Sequence, residues 1–114
     1  MEVQINERVL RVQVVALTGR LDAFNAPDLR ARLQSLLDAG EKYFVLDLQA
    51  LTFMDSAAMA VLVSLLKQSR TAGGGVSLVK PANEAALRIL LLTKFDRVFH
   101  MSENVDNAVR EVLA

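Results

Sequence analysis

Segments that read as strands alternate with segments that read as helices along most of this chain, each closed by a glycine, a proline or a capping residue. Residues 43–48, YFVLDL, are mostly apolar without clean alternation, the pattern of a strand covered on both faces in the middle of a sheet; Asp47 is the exception. A helical run opens at Ser56 and ends near Ala72, where Gly73, Gly74 and Gly75 supply a turn before a strand over residues 76–80. Pro81 blocks extension of that strand. Asn83 can cap a further helix carrying Ala86, Leu87, Leu90 and Leu91, and residues 98–101 form a short strand. Ser102 can cap a last helix with Val105, Ala108, Val109, Val112 and Leu113 on one side. Strands separated by helices indicate parallel βαβ units.

The first residues read differently. Residues 3–5 and 9–17 are rich in β-branched side chains and partly alternate, which predicts a hairpin turning at Asn6, Glu7 and Arg8. Gly19 ends its second strand. Asn25 can cap a helix with Pro27 and Asp28 in its first turn and Leu29, Leu33, Leu36 and Leu37 on one face, stopped by Gly40. The expected order is β, β, α, β, α, β, α, β, α. The expected architecture is α/β: a mixed β-sheet of about five strands flanked by about four helices, in one domain over residues 1–114.

Charge and composition narrow the function. Thirteen basic and thirteen acidic residues cancel, and no Lys/Arg cluster supplies the electrostatic footprint of a nucleic-acid binder. No apolar stretch reaches the roughly 18–20 residues that cross a bilayer, and MEVQINERVL lacks the basic and apolar regions of a secretory signal. A soluble cytoplasmic protein without membrane insertion is expected. There is no Cys, so disulfides and thiolate metal sites are excluded. The single histidine, His100, reads as structural or solvent-facing, since no triad accompanies it. Gly73–Gly75 follows a helix and precedes a strand, the reverse of a phosphate-binding loop. No catalytic residue, metal or cofactor is expected.

Asp55 and Ser56 open an otherwise apolar segment, LTFMDSAAMAVLVSLL. Both residue types cap helices, and the unpaired N–H groups and dipole of a helix N-terminus favour negative charge. A serine hydroxyl there can accept phosphate. The phosphoserine would carry about −1.5 to −2 charges, favoured by the dipole by about 0.3–1 kcal/mol each. Asp55 opposes it: unit charges about 5 Å apart repel by roughly 1–3 kcal/mol. Phosphate would thus be accepted without burial and would face any partner. Along the same helix, Ser56, Ala60 and Ser64 recur every four residues and are all small, so another backbone could approach closely; Met59, Leu62, Leu65 and Leu66 offer a larger face for the core. The competing reading is that the small stripe packs under a neighbouring helix and Asp55 merely caps.

Three blocks, LTGRLDAFNAPDL (17–29), YFVLDLQALTFMDSAAM (43–59) and GGGVSLVKPANEAALRILLLTKFDRVF (73–99), resemble the STAS domains of sulfate transporters and anti-sigma-factor antagonists. The resemblance implies a mixed sheet flanked by helices. It further implies an antagonist that binds an anti-sigma-factor serine kinase while unphosphorylated and releases it once Ser56 is phosphorylated, a metal-dependent serine phosphatase reversing the change. The implied docking surface is Asp22, Asp55, Ser56, Ala57, Met59, Ala60, Val63 and Ser64. Two departures stand out: Ala57, Ala58 and Met59 occupy positions where such proteins usually carry a second Ser or Thr, Gly and Leu, and Lys94 replaces a Gly near the end of the third helix. Two other readings remain open. One is a STAS scaffold or accessory subunit without phosphoswitching; the other is an enzyme or small-ligand binder using Asp22, Asp55 and Ser56 as a polar cluster.

Overall fold

The computed structural model describes all 114 residues. Four strands, β1 (Gln13–Leu21), β2 (Tyr43–Met54), β3 (Gly75–Val79) and β4 (His100–Ser102), form one sheet in the order β1-β2-β3-β4, every neighbouring pair parallel. The helices are α1 (Ala26–Asp38), α2 (Ser56–Thr71), α3 (Glu84–Leu92), the single turn α4 (Phe95–Val98) and α5 (Val105–Leu113). Because the strand order never reverses and βαβ crossovers are right-handed, the three crossovers lie on one face of the sheet. On that face α1, α2 and α3 bury Leu29, Leu33, Leu62, Leu65 and Leu90 against Phe44, Leu46 and Leu48. On the other, α5 places Ala108, with Val105, Val109 and Val112, over Val45 and Val79. Strand β2 therefore has apolar side chains on both faces, as a central strand should. Asp47 escapes burial by accepting from the backbone N–H and side-chain amide of Gln49.

The α/β architecture matches expectation, but the sheet has four strands rather than about five. The hairpin does not form. Residues 1–11 are exposed, belong to no strand, and residues 1–10 make no backbone hydrogen bond. Three-residue strands at 3–5 and 9–11 would have no sheet face to pack on, and an isolated hairpin is marginal in water. With it goes the antiparallel component, so the sheet is parallel rather than mixed.

Several boundaries also move. β1 begins at Gln13 rather than residue 9 and runs through Gly19 to Leu21, because Gly19 sits at a bulge rather than a stop, and β2 continues past Leu48 to Met54. Ser102 does not cap the last helix: it is the buried end of β4, its hydroxyl donating to Glu111, while Asn104 Oδ1 accepts from Asn107 N at 2.8 Å and caps α5. The short strand starts at His100 rather than 98, because residues 95–98 coil into α4. His100 lies exposed on this edge strand with Nε2 paired to Glu111.

Candidate functional site

Strands β1 and β2 carry unequal numbers of residues between their paired ends, and the register slips by one residue between Ala16 and Thr18 and again between Gly19 and Arg20. Each slip is a bulge that turns side chains to the opposite face, and Gly19, at φ +82°, takes a conformation that favours glycine. The two slips together restore the original facing and bring Leu21 beside Met54. The loops that follow these strands therefore meet at the C-terminal edge of the sheet, where open parallel sheets place their functional loops.

Asp55 joins the two loops. Its backbone N–H donates to Leu21 O at 3.3 Å. Carboxylate Oδ1 accepts from Ala58 N at 3.0 Å and caps α2, while Oδ2 accepts from Ala23 N at 3.0 Å, 32 residues away in sequence. Both oxygens are thus committed to backbone donors. Asp22 turns its own loop: Oδ1 accepts from Phe24 N at 3.0 Å, and Oδ2 lies 3.8 Å from Arg20 Nε, whose guanidinium sits 4.1 Å from the centre of the Phe53 ring. Asn25 closes the same turn instead of capping α1 by its side chain, accepting from Asp22 N and donating to Arg20 O, both at 2.8 Å.

Ser56 is the first helical residue of α2 and is exposed. Its N–H and that of Ala57 have no acceptor within the chain, as the first turn of a helix requires. Further along α2, Ala60 is exposed and Ser64 half-buried, its hydroxyl accepting from Gln68 Nε2 at 3.1 Å. No helix covers this stripe. It runs between two shallow depressions, one of about 610 Å³ reaching across Met59 and Val63 to Phe95, the other of about 470 Å³ reaching across Ala57 to Pro27 and Ala31 of α1. Ala57, Met59 and Val63 are half-buried, resting on the core with their outer surfaces in these depressions. Ala58 is fully buried, so the methyl that replaces a glycine hydrogen points into the core and leaves the outer surface unaltered.

All eight expected docking residues thus occupy one surface, with Asp22 and Asp55 holding its loops and Ser56, Ala60 and Ser64 forming its open strip. Two residues were not anticipated. Phe24 projects from the β1–α1 loop, 96% exposed beside Ala23, and Phe95 walls the larger depression. An exposed phenylalanine between polar loop residues, DAFN, is the signal that could have flagged the first. Phe95 becomes part of the surface only through the αL turn at Lys94, which local sequence does not announce.

The STAS domain model matches residues 1–108, and the chain belongs to this family. A Thermotoga maritima protein assigned as an anti-sigma factor antagonist is 34% identical over 76 residues, 67% of this chain and 66% of that one, so the match spans just under two thirds of that relative. The anti-sigma-B factor antagonist of Bacillus subtilis is 26% identical over 109 residues, 96% of this chain and 95% of that one. Among solved structures, one of a Thermotoga maritima protein, likewise assigned as an anti-sigma factor antagonist, superposes with a TM-score of 0.78 at 31% identity, covering 89% of this chain and 88% of that one. The Bacillus cell fate determinant SpoIIAA in its phosphorylated form superposes with a TM-score of 0.70 at 17% identity, covering 96% and 97%, a likeness of fold. No helix is long and apolar enough to cross a membrane.

Proposed function

We propose that this protein is an anti-sigma-factor antagonist whose binding is switched at Ser56. Unphosphorylated, the strip of Ser56, Ala60 and Ser64, flanked by Phe24 and Phe95, receives an anti-sigma-factor serine kinase. In the transfer step Ser56 Oγ bonds to the γ-phosphorus of ATP, the bond from that phosphorus to the β-bridging oxygen breaks to leave ADP, and the hydroxyl proton passes to a base of the kinase. A metal-dependent serine phosphatase would return the hydroxyl by hydrolysis. The protein is then substrate and switch, with no catalysis of its own.

The observation that carries this reading is an exposed hydroxyl at the first position of α2, on a surface that no element of the chain covers. The neighbouring charge makes it effective. Asp55 is fixed by its two backbone donors and cannot swing away, so a phosphate on Ser56 faces about 1–3 kcal/mol of repulsion against about 0.3–1 kcal/mol of dipole attraction per charge. The phosphate stays in solvent, where it sets charge into a close-fitting apolar contact; an unpaired charge in such a contact typically costs about 2–5 kcal/mol. The names of the relatives support the antagonist role, and a phosphorylated form described for SpoIIAA supports the switch.

The test uses a cognate serine kinase and ATP, with phosphate located by mass spectrometry. Label on Ser56, absent in Ser56→Ala, is expected; label elsewhere, or none with several competent kinases, would favour a scaffold without switching. By titration calorimetry Ser56→Ala should keep the affinity and Ser56→Asp should lose it. Equal affinities would refute the switch.

A further inference from the structure

The amino-terminal arm and the free edge of the sheet are complementary in a way the single chain leaves unused. Val3, Ile5, Val9 and Leu10 are 56–89% exposed, and none of residues 1–10 makes a backbone hydrogen bond. With the arm projecting, the molecule is 60 Å long and only 27 by 21 Å across. The nine residues of β1 pair on one side only, with β2, leaving its other edge open. Beneath that edge a groove of about 350 Å³ opens between β1 and α1, lined by Val15, Leu17, Leu29, Leu33 and Leu36. Open edges with apolar side chains are templates for a further strand.

We propose that the occupant is the arm of a second copy, the two chains running antiparallel about a two-fold axis at Val9. An antiparallel pairing of a segment with its own copy is self-complementary, so both arms are used at once and the assembly closes as a dimer. The pairing about Val9 sets Glu7 opposite Arg11, Ile5 opposite Gln13, Val3 opposite Val15 and Met1 opposite Leu17. Directly opposed residues share a face. Val15 and Leu17 face α1 and pack against the main core, so Met1, Val3 and Ile5 enter the groove beside them, and opposite charges meet at Glu7 and Arg11. An axis at Arg8 would instead oppose two arginines and set Ile5 against Arg11. An axis at Leu10 loses the charge pair.

The arm cannot reach this groove within its own chain through the turn-compatible residues Asn6, Glu7 and Arg8. Reversal there brings residues 3–5 back only alongside residues 9–12, short of Val15 and Leu17. The two-copy pairing covers the start of β1 and leaves its end, Asp55 and Ser56 free. It is independent of the role proposed for Ser56.

The experiment is sedimentation velocity over a dilution series of the full chain, with cysteine cross-linking. A dimer dissociating on dilution is expected. Ile5→Asp, at an exposed position whose change leaves the fold intact, should raise the dissociation constant at least about tenfold. The chain has no cysteine of its own, so Val9→Cys should give a disulfide-linked dimer under mild oxidation, because opposed Cα atoms in an antiparallel pair lie about 4.5–5.5 Å apart. Val12→Cys, away from the axis, should not. A monomer at every concentration, a dimer indifferent to Ile5→Asp, or equal cross-linking of the two cysteine variants would each overturn the proposal.

Discussion

Removing the Asp55 carboxylate should loosen two loops, and by amounts that separate its two bonds. In Asp55→Ala the cap bond from Ala58 N is lost, which costs about 0.5–2 kcal/mol, and the bond from Ala23 N with it, about 0.5–1.5 kcal/mol for a group that water can partly reach. The sum is about 1–3.5 kcal/mol. Asp55→Asn keeps one acceptor, which can cap α2, but presents amide hydrogens to the Ala23 N–H, so about half of that loss is expected. With a urea slope of about 1–3 kcal/mol per molar, the alanine variant should unfold roughly 1 M earlier. Amide exchange followed by NMR resolves the two bonds: the asparagine variant should accelerate Ala23 while sparing Ala58, and the alanine variant should accelerate both. An alanine variant within about 0.5 kcal/mol of the parent, or an unchanged Ala23 rate, would refute the clamp and leave Asp55 as a simple cap.

Four further outcomes follow from the same structure. Gly74→Ala should be severe, more than about 3 kcal/mol by chemical denaturation, because its Cβ would stand 1.9 Å from Lys42 O and 2.5 Å from Lys42 C, backbone atoms that cannot step aside. Lys94→Gly should stabilise by about 0.5–1 kcal/mol in calorimetry: Lys94 sits at φ 61°, a left-handed conformation costing an L-residue about 1–2 kcal/mol, against the larger entropy a glycine loses on folding. Ser69→Ala should be neutral or stabilising by up to about 1 kcal/mol in urea titration, since the Ser69 hydroxyl is fully buried and finds no partner. Ala60→Arg should leave the folding free energy within about 0.5 kcal/mol, because Ala60 is exposed, while abolishing, in calorimetry, binding of the kinase proposed as partner.

The crossovers were legible because α1, α2 and α3 carry their own evidence in neighbouring residues, whereas the single turn α4 does not. Asp55 and Asn83 cap α2 and α3 where their side-chain chemistry says they should, and the leucines of α1 at 29 and 33 face the core as their spacing demands. The failures fall where a local pattern needed a distant partner. The β-branched residues of the arm have strand propensity, but propensity becomes a strand only where a partner edge is engaged, and within one chain residues 1–10 pair with none. Ser102 and Asn104 illustrate the same limit at smaller scale. Both are capping residues, and the choice fell to Asn104 because pairing of β4 with β3 draws Ser102 into the interior.

The site divides along the same line. Ser56 and its small-residue strip could be read from spacing along one helix, whereas the placing of Asp22 and Ala23 against Asp55 could not, because it depends on a count of residues in two strands. Had β1 and β2 paired without the slips at residues 16–18 and 19–20, Leu21 would fall opposite a residue two positions earlier in β2 than Met54, and Ala23 N would lie roughly two residue rises, about 7 Å, from the carboxylate that now accepts from it. The glycine conformation at Gly19 thus sets where the Asp55 charge is held relative to the Ser56 hydroxyl. The switch proposed for Ser56 would need that separation to be held, and Ala23 N, brought to the carboxylate by the two bulges, holds it together with the local cap bond from Ala58 N.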